Sequence, residues 1–449
     1  MTAVPPANTG GTAPPGIAHM NSASFLPPDL AARAESLAAL VGERLDTPRR
    51  AEEHAERAAR QTDLPLWTGS SLSEGHAGLA LLHLHAGRAD MAFRFLRAAF
   101  DATAHEPLTR PGLFDGTAGL ALVLADCCAA EPRFLPSLHA LHERLSRQVL
   151  HTAWPRREGG VADHDYDLVY GSAGILVHLS TTPYKNPDTL RAVEHCLDHL
   201  VWLAEETGED APARWMISPE RCAAYGDLES TYPYGYLDTG MSHGAAGMAA
   251  ALAVAWREGH RRPGHREALD RLTDWLLRVG TAGGRDRQWP RAVPVTARGR
   301  EATAEGAEAV PSWCHGTAGV AAALLAVAGA TGDRGLAAEA FAALDGVLDR
   351  GGGHGTPTVC HGVAGLAALA HEFAARGSAG AARALPGLVR RLVAAADPVR
   401  HPLVFRDRET TGHVVDNPGL LTGAAGVAVT LHALATGHRP TWWNALLPR

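Results

Sequence analysis

The 449-residue sequence predicts an all-α fold, an α/α toroid of seven inner and seven outer helices with inserted loops or a small subdomain. Three observations lead there. The tetrapeptide Gly-x-Ala-Gly recurs seven times, starting at Gly75, Gly116, Gly171, Gly244, Gly316, Gly362 and Gly423. Each copy opens an apolar run rich in Ala and Leu. Between the runs lie amphipathic stretches with their charges on one side.

The inner helices follow from the apolar runs. Leu79–Leu82, Leu120–Val123, Ile175–Val177, Met248–Ala251, Val320–Ala323, Leu366–Leu369 and Val427–Val429 each belong to segments that are apolar nearly all round, and such helices are buried. The outer helices follow from stretches such as Arg191–Glu205, Arg266–Val279 and Ala338–Asp349. An open solenoid needs polar capping repeats, yet the first and last copies here are as apolar as the middle ones, so the ring closes. Uneven spacing of the copies places insertions near 181–236 and 280–310. Residues 1–28, rich in Pro, Gly, Ala and Thr, read as a flexible N-terminal tail, and 29–449 as one toroidal domain. The glycines themselves suit close helix packing, since they carry no Cβ.

Composition narrows the function. With 46% hydrophobic and 20% charged residues the chain has a sizeable core, and a net charge of -7 gives no basic footprint for nucleic acid. No run approaches the roughly 18 apolar residues of a membrane span, and the N-terminus lacks the basic start and apolar stretch of a signal peptide. A cytoplasmic protein is expected. Six cysteines in a chain this long do not form a disulfide scaffold, and in a reducing compartment Cys–His pairs point to metal or catalysis.

If all seven motifs open inner helices, the residues before them line one central cavity. Those residues are Glu74, Asp115, Tyr170, His243, His315, His361 and Thr422. Two copies add a cysteine one place earlier, Cys314 and Cys360. A lone buried cysteine is commonly a small apolar residue, but two Cys–His pairs at equivalent repeat positions beside a third histidine read as a metal site. Zinc suits two thiolates and an imidazole, with the fourth tetrahedral position open for catalysis. The favoured ligands are Cys314, Cys360 and His361. Exchanging His361 for His315 gives an equivalent set, and a closed site of all four would be structural.

The Trp313-Cys314-His315-Gly316 and Cys360-His361-Gly362 motifs, 46 residues apart, resemble those of the lanthionine synthetase C-like proteins. So do Ser242-His243-Gly244, Asp167-Leu-Val-Tyr-Gly171 and the seven-fold Gly-rich repeat, over about residue 70 to the C-terminus. The resemblance implies an α/α toroid holding one zinc per chain, on Cys314, Cys360 and His361. It implies an active-site histidine at His243 and an active-site aspartate at Asp167. The implied activity is closure of thioether rings by adding peptide cysteine thiols to dehydroalanine or dehydrobutyrine. The partners implied are a dehydrated precursor peptide, a lanthipeptide dehydratase and an exporter, which would hold a cytoplasmic cyclase peripherally at the membrane. Two positions depart from the free-standing bacterial pattern: His315 stands where tyrosine is common, and Val310 where arginine is common.

On this reading His243 protonates the enolate that follows thiolate addition. Asp167 orients and charges an imidazole, or caps the next inner helix. His315 stabilises the enolate, takes part in proton transfer, or hydrogen-bonds in the cavity wall. The alternatives are a glutathione-adding enzyme for other dehydrated proteins and a non-catalytic, zinc-stabilised peptide-docking scaffold. His83, His85, His178 and His432 read as satisfied core histidines, and Cys127, Cys128, Cys196 and Cys222 as structural. His76, inside the first motif, is a weaker candidate for the cavity.

Overall fold

The computed structural model describes residues 25–449 except 158, 209–210, 222–230, 283–286, 303–309, 353–354, 409–411 and 448–449. The expected tail therefore lies outside the described residues up to residue 24. Phe25 and Leu26 already pack on the helices that follow.

Seven inner helices open at the seven motifs: α3 (His76–His85), α5 (Thr117–Ala130), α8 (Ser172–Thr181), α10 (Ala245–Arg257), α12 (Thr317–Thr331), α14 (Val363–Ala375) and α16 (Ala424–Thr436). They are buried almost throughout. Each touches the next, and α16 returns to α3, so the ring is closed. Six outer helices follow their inner partners: α4 (Ala89–Ala102), α6 (Leu135–His151), α9 (Pro187–Leu203), α11 (His265–Val279), α13 (Arg334–Asp349) and α15 (Ala379–Ala395). The seventh, α1 (Pro28–Arg44), comes from the other end of the chain and packs on α16 and α15. The fold is an α/α toroid whose last repeat is completed by its first helix. Among the described residues it adds the outlying α2 (Pro48–Thr62) and two short helices, α7 (Asp163–Tyr166) and α17 (Trp443–Leu446).

The motif glycines do a more local job than packing helix on helix. Before each inner helix the chain folds back along that helix's own first turn. The N–H of the second motif glycine donates to the carbonyl seven residues earlier in every repeat, at 3.2–3.4 Å. Helix N-termini leave donors unpaired, and these loops satisfy some of them without a side-chain cap. A Cβ on that glycine would lie 1.8–2.3 Å from the loop carbonyl six residues back in all seven copies. Only glycine fits.

The same loops bond to one another around the ring. Ser73 donates its N–H to Phe114 O, Phe114 to Val169, Ser242 to Cys314, Cys314 to Cys360, Cys360 to Leu421, and Leu421 back to Ser73. These six links join the residue two before each motif. The seventh, Leu168 to Ser242 O, is shifted by one residue. All seven measure 2.9–3.2 Å and form a closed girdle over one end of the barrel.

The two insertions meet at this end. Strand β1 (Tyr236–Asp238) from the first pairs antiparallel with β4 (Ala292–Pro294) from the second, while β2 (Thr281–Ala282) and β3 (Arg287–Gln288) form a separate short ladder. A further hairpin, β5 (Asp407–Arg408) with β6 (Val414–Val415), precedes the last repeat. From below, the C-terminal segment ties into the ring: Arg439 pairs with Glu372, Thr441 with Asp126, and Leu446 O accepts from Trp313 Nε1 at 2.7 Å. No helix among the described residues is long and apolar enough to cross a membrane.

Candidate metal centre and acid–base site

The residue before each motif keeps partial exposure in all seven repeats, whereas the motifs behind it are buried. Glu74, Asp115, Tyr170, His243, His315, His361 and Thr422 thus share one rim, as the repeat pattern predicts.

Cys314 and Cys360 occupy neighbouring positions of the girdle, joined by the 3.2 Å bond between their backbones. Their sulfurs and one imidazole nitrogen of His361 all lie within 4.8 Å of one another. A hydrogen bond from Cys360 holds the Cys314 thiol well below its ordinary range, with His315, Ser312 and His361 acting the same way. The pair therefore releases its first proton readily and its second reluctantly, and the Cys360 thiol is pushed up. His361 turns Nε2 towards the buried Asp407 at 3.5 Å, and Thr356 donates to the same carboxylate oxygen at 2.8 Å. The set gathered is Cys314, Cys360 and His361. His315 turns its Nδ1 to Asp238 and is not part of this group among the described residues, which favours the first ligand set over the exchanged and four-residue ones.

His243 donates from Nδ1 to Asp167 Oδ2 at 2.6 Å. Asp167 is fully buried, and its other oxygen accepts from the N–H groups of Tyr170 (2.6 Å) and Gly171 (2.7 Å). One carboxylate thus orients an imidazole and braces the loop just before the next inner helix. It bonds no N–H of that helix, which has no side-chain cap, so the capping reading of Asp167 is not met. Burial alone would lower the His243 pKa; the bond to Asp167 and the charges of Asp167, Asp163 and Asp238 outweigh it and hold the ring at about 9. Burial also pushes Asp167 up, against the opposing pull of His243. Asp163, at the start of α7, lies within 4.8 Å of both.

His315 is the third imidazole of the row. Its Nδ1 is buried 3.5 Å from Asp238 Oδ2, and its ring centre lies 5.9 Å from that of His243. Asp238 closes β1 and accepts from Gly240 N–H at 2.6 Å. Each of the three rim histidines therefore has its own buried aspartate from an adjoining repeat. Sequence reasoning finds Asp167 but misses Asp163, Asp238 and Asp407, which lie in connecting segments at unequal distances from the motifs. One signal was available. Asp238-x-Gly240 stands where the last repeat has Asn417-x-Gly419, and both side chains accept the N–H two residues on.

The remaining histidines sort by burial. His83 is fully buried and bonded to Leu45 O at 2.8 Å, and His178 is buried against His142. His432 instead reaches Glu35, at 3.0 Å. His76 turns away from the rim to Glu52 on α2, at 2.9 Å. Cys127, Cys128 and Cys196 are unpaired core residues, and Cys222 lies outside the described residues.

A model of the lanthionine synthetase C-like protein family matches residues 66–447, nearly the whole described fold. The chain belongs to the lanthionine synthetase C-like family. A curated relative of this lanthionine synthetase C-like chain is the nisin biosynthesis protein NisC of Lactococcus lactis subsp. lactis, 22% identical over 209 residues. That alignment takes in 46% of this chain and 49% of the relative, so the match spans about half the length of the curated protein. Among solved structures, one titled nisin cyclase superposes with a TM-score of 0.71 at 18% identity, over 89% of this chain and 96% of that one. The likeness establishes the shared toroid.

Proposed function

We propose that this chain is a zinc-dependent lanthipeptide cyclase. It adds cysteine thiols of a dehydrated precursor peptide to dehydroalanine or dehydrobutyrine and so closes thioether rings. The observation that carries the reading is the meeting, on one rim, of a two-sulfur, one-imidazole donor set with an imidazolium held by a buried aspartate. Family membership and the named relatives support the same reaction class.

The residues fit zinc. Cys314, Cys360 and His361 supply the soft thiolates and imidazole it prefers, from loops that the girdle fixes. Asp407, 3.5 Å from His361 Nε2, would serve as the outer carboxylate that orients this ring for a metal held there. Zinc held there supplies a Lewis acid that favours the thiolate form of a substrate cysteine.

The rest falls to the chain's own groups. As the substrate sulfur adds to the β-carbon, a C–S bond forms, the Cα–Cβ π bond breaks, and its electron pair passes into an enolate. His243 stays charged at neutral pH through Asp167, and its ring keeps 17% exposure on the rim. It delivers a proton to the α-carbon and regains from solvent the proton the thiol gave up. The barrel's converging helix N-termini favour the anionic intermediate. A dehydratase that supplies the peptide and an exporter that removes the product are the partners this chemistry calls for, in a cytoplasmic setting.

The test is a peptide with one dehydroalanine and one cysteine a few residues on, incubated with enzyme and then alkylated. Ring closure protects the thiol, and mass spectrometry counts the protected fraction. Wild type should protect it well above the uncatalysed background, and His243→Gln should not, with its zinc retained. Zinc-loaded wild type that leaves the thiol open to alkylation at the background rate would overturn the reading.

A further inference from the structure

His315 sits one residue beyond Cys314, and its surroundings single out one more residue. Asp238 is 1% exposed, a buried carboxylate whose Oδ2 lies 3.5 Å from His315 Nδ1 and whose charge Arg291 also favours. One oxygen is fixed by Gly240 N–H; the other faces Nδ1 of His315. The space for this carboxylate is built by glycines. A Cβ on Gly240 would lie 2.9 Å from both Asp238 Oδ1 and His315 Nδ1, and one on Gly244 would lie 2.5 Å from Asp238 Oδ1. Strand β1, which ends in Asp238, exists only because the two insertions pair there. Buried Nδ1 leaves the ring's 16% exposure to its opposite edge.

We propose that Asp238 is a positioning residue for His315, and that the two form a second imidazole–carboxylate dyad beside His243 and Asp167. The arrangement repeats that dyad one repeat along in a looser form. An aspartate from the preceding repeat faces Nδ1 at 3.5 Å, where His243 bonds at 2.6 Å, close enough to become a hydrogen bond on a small shift of the ring. A carboxylate facing Nδ1 directs a ring proton to that nitrogen in preference to Nε2. Nε2 is then an acceptor, placed to take a hydrogen bond from the S–H of an incoming cysteine or from the donor that follows it. The inference rests on the cyclase reading for its chemistry and on geometry alone for the pair.

Two measurements test it. In the alkylation assay, Asp238→Asn should lower kcat on the order of tenfold, with KM and zinc content unchanged. Asp238→Glu should recover part of the loss. In a His315→Ala background Asp238→Asn should cost nothing further, because it acts through the missing ring. Losses that multiply independently, or an Asp238→Asn with full kcat, would overturn the proposal. Nitrogen-15 spectra of the histidine imidazoles, assigned through His315→Ala, give a readout that needs no activity and no variant of Asp238. A neutral His315 protonated on Nδ1 supports the dyad, and one protonated on Nε2 overturns it. If zinc-loaded wild type closes no ring, the function reading fails and the spectra still decide the pair.

Discussion

His243 and Asp167 set the pH behaviour of the site. The folded-state pKa of His243 is raised to about 9 from 6.5, so its ion pair contributes stability fully below pH 6.5 and loses it as pH rises through 9. On the proposed mechanism, the acid form of His243 that protonates the α-carbon is lost over the same alkaline range. Asp167→Asn removes the anion but not the burial, and the ring should fall to its ordinary ~6.5 or lower. The alkaline limb of the rate profile should therefore move down by about two pH units or more, read from initial rates of thiol protection. A limb that stays near 9 would separate His243 from Asp167. His243 was legible because it stands directly before a repeated glycine motif, and Asp167 only through the resemblance to the family, since no other repeat has an aspartate at that offset. Their partner Asp163 was not, since nothing in a single sequence marks which of several nearby carboxylates a four-residue helix turns towards the site.

At the level of the element, the motif is a loop clamp and not a helix-packing device. Gly365 illustrates it: a Cβ there would stand 1.9 Å from Val359 O, with no flexible group able to move aside. Gly365→Ala should cost about 3 kcal/mol or more, as overpacking against backbone does. Gly329, in the exposed last turn of α12, has open space around it. Gly329→Ala should be neutral or stabilising by up to about 1 kcal/mol, from helix propensity. Denaturant midpoints of the two variants check the contrast. The repeat, its inner helices and their common polarity were all readable from glycine spacing and apolar runs. The girdle was not, because backbone bonds between loops leave no mark on side-chain identity.

The whole molecule is held by closure. Helix α1 completes the last repeat, the girdle joins all seven loops, and the C-terminal segment ties the far end, where Phe25 and Trp443 both pack on His371, at 5.7 and 5.6 Å between ring centres. The ring was predictable from seven equally apolar repeats. The donation of an outer helix by the N-terminus was not, since the first repeat reads like any other. The core also carries histidines that are neutral by burial. His83, His85 and His142 are each pushed down to about 4, chiefly by burial. Above pH 6.5 they are neutral folded or unfolded, and their contribution is complete. Between 6.5 and 4 only the unfolded chain takes up protons, so stability should fall as pH falls, each ring contributing on the order of 1 kcal/mol per pH unit. Unfolding midpoints across that window test this, and a flat profile would contradict it.

The central claim is the metal centre, and zinc content measures it most directly. Elemental analysis of the wild type should give one zinc per chain. Cys314→Ala, Cys360→Ala and His361→Ala should each lose it, and His315→Ala should keep it. Wild type that neither carries nor takes up zinc, or a zinc retained in all three ligand variants, would contradict the account.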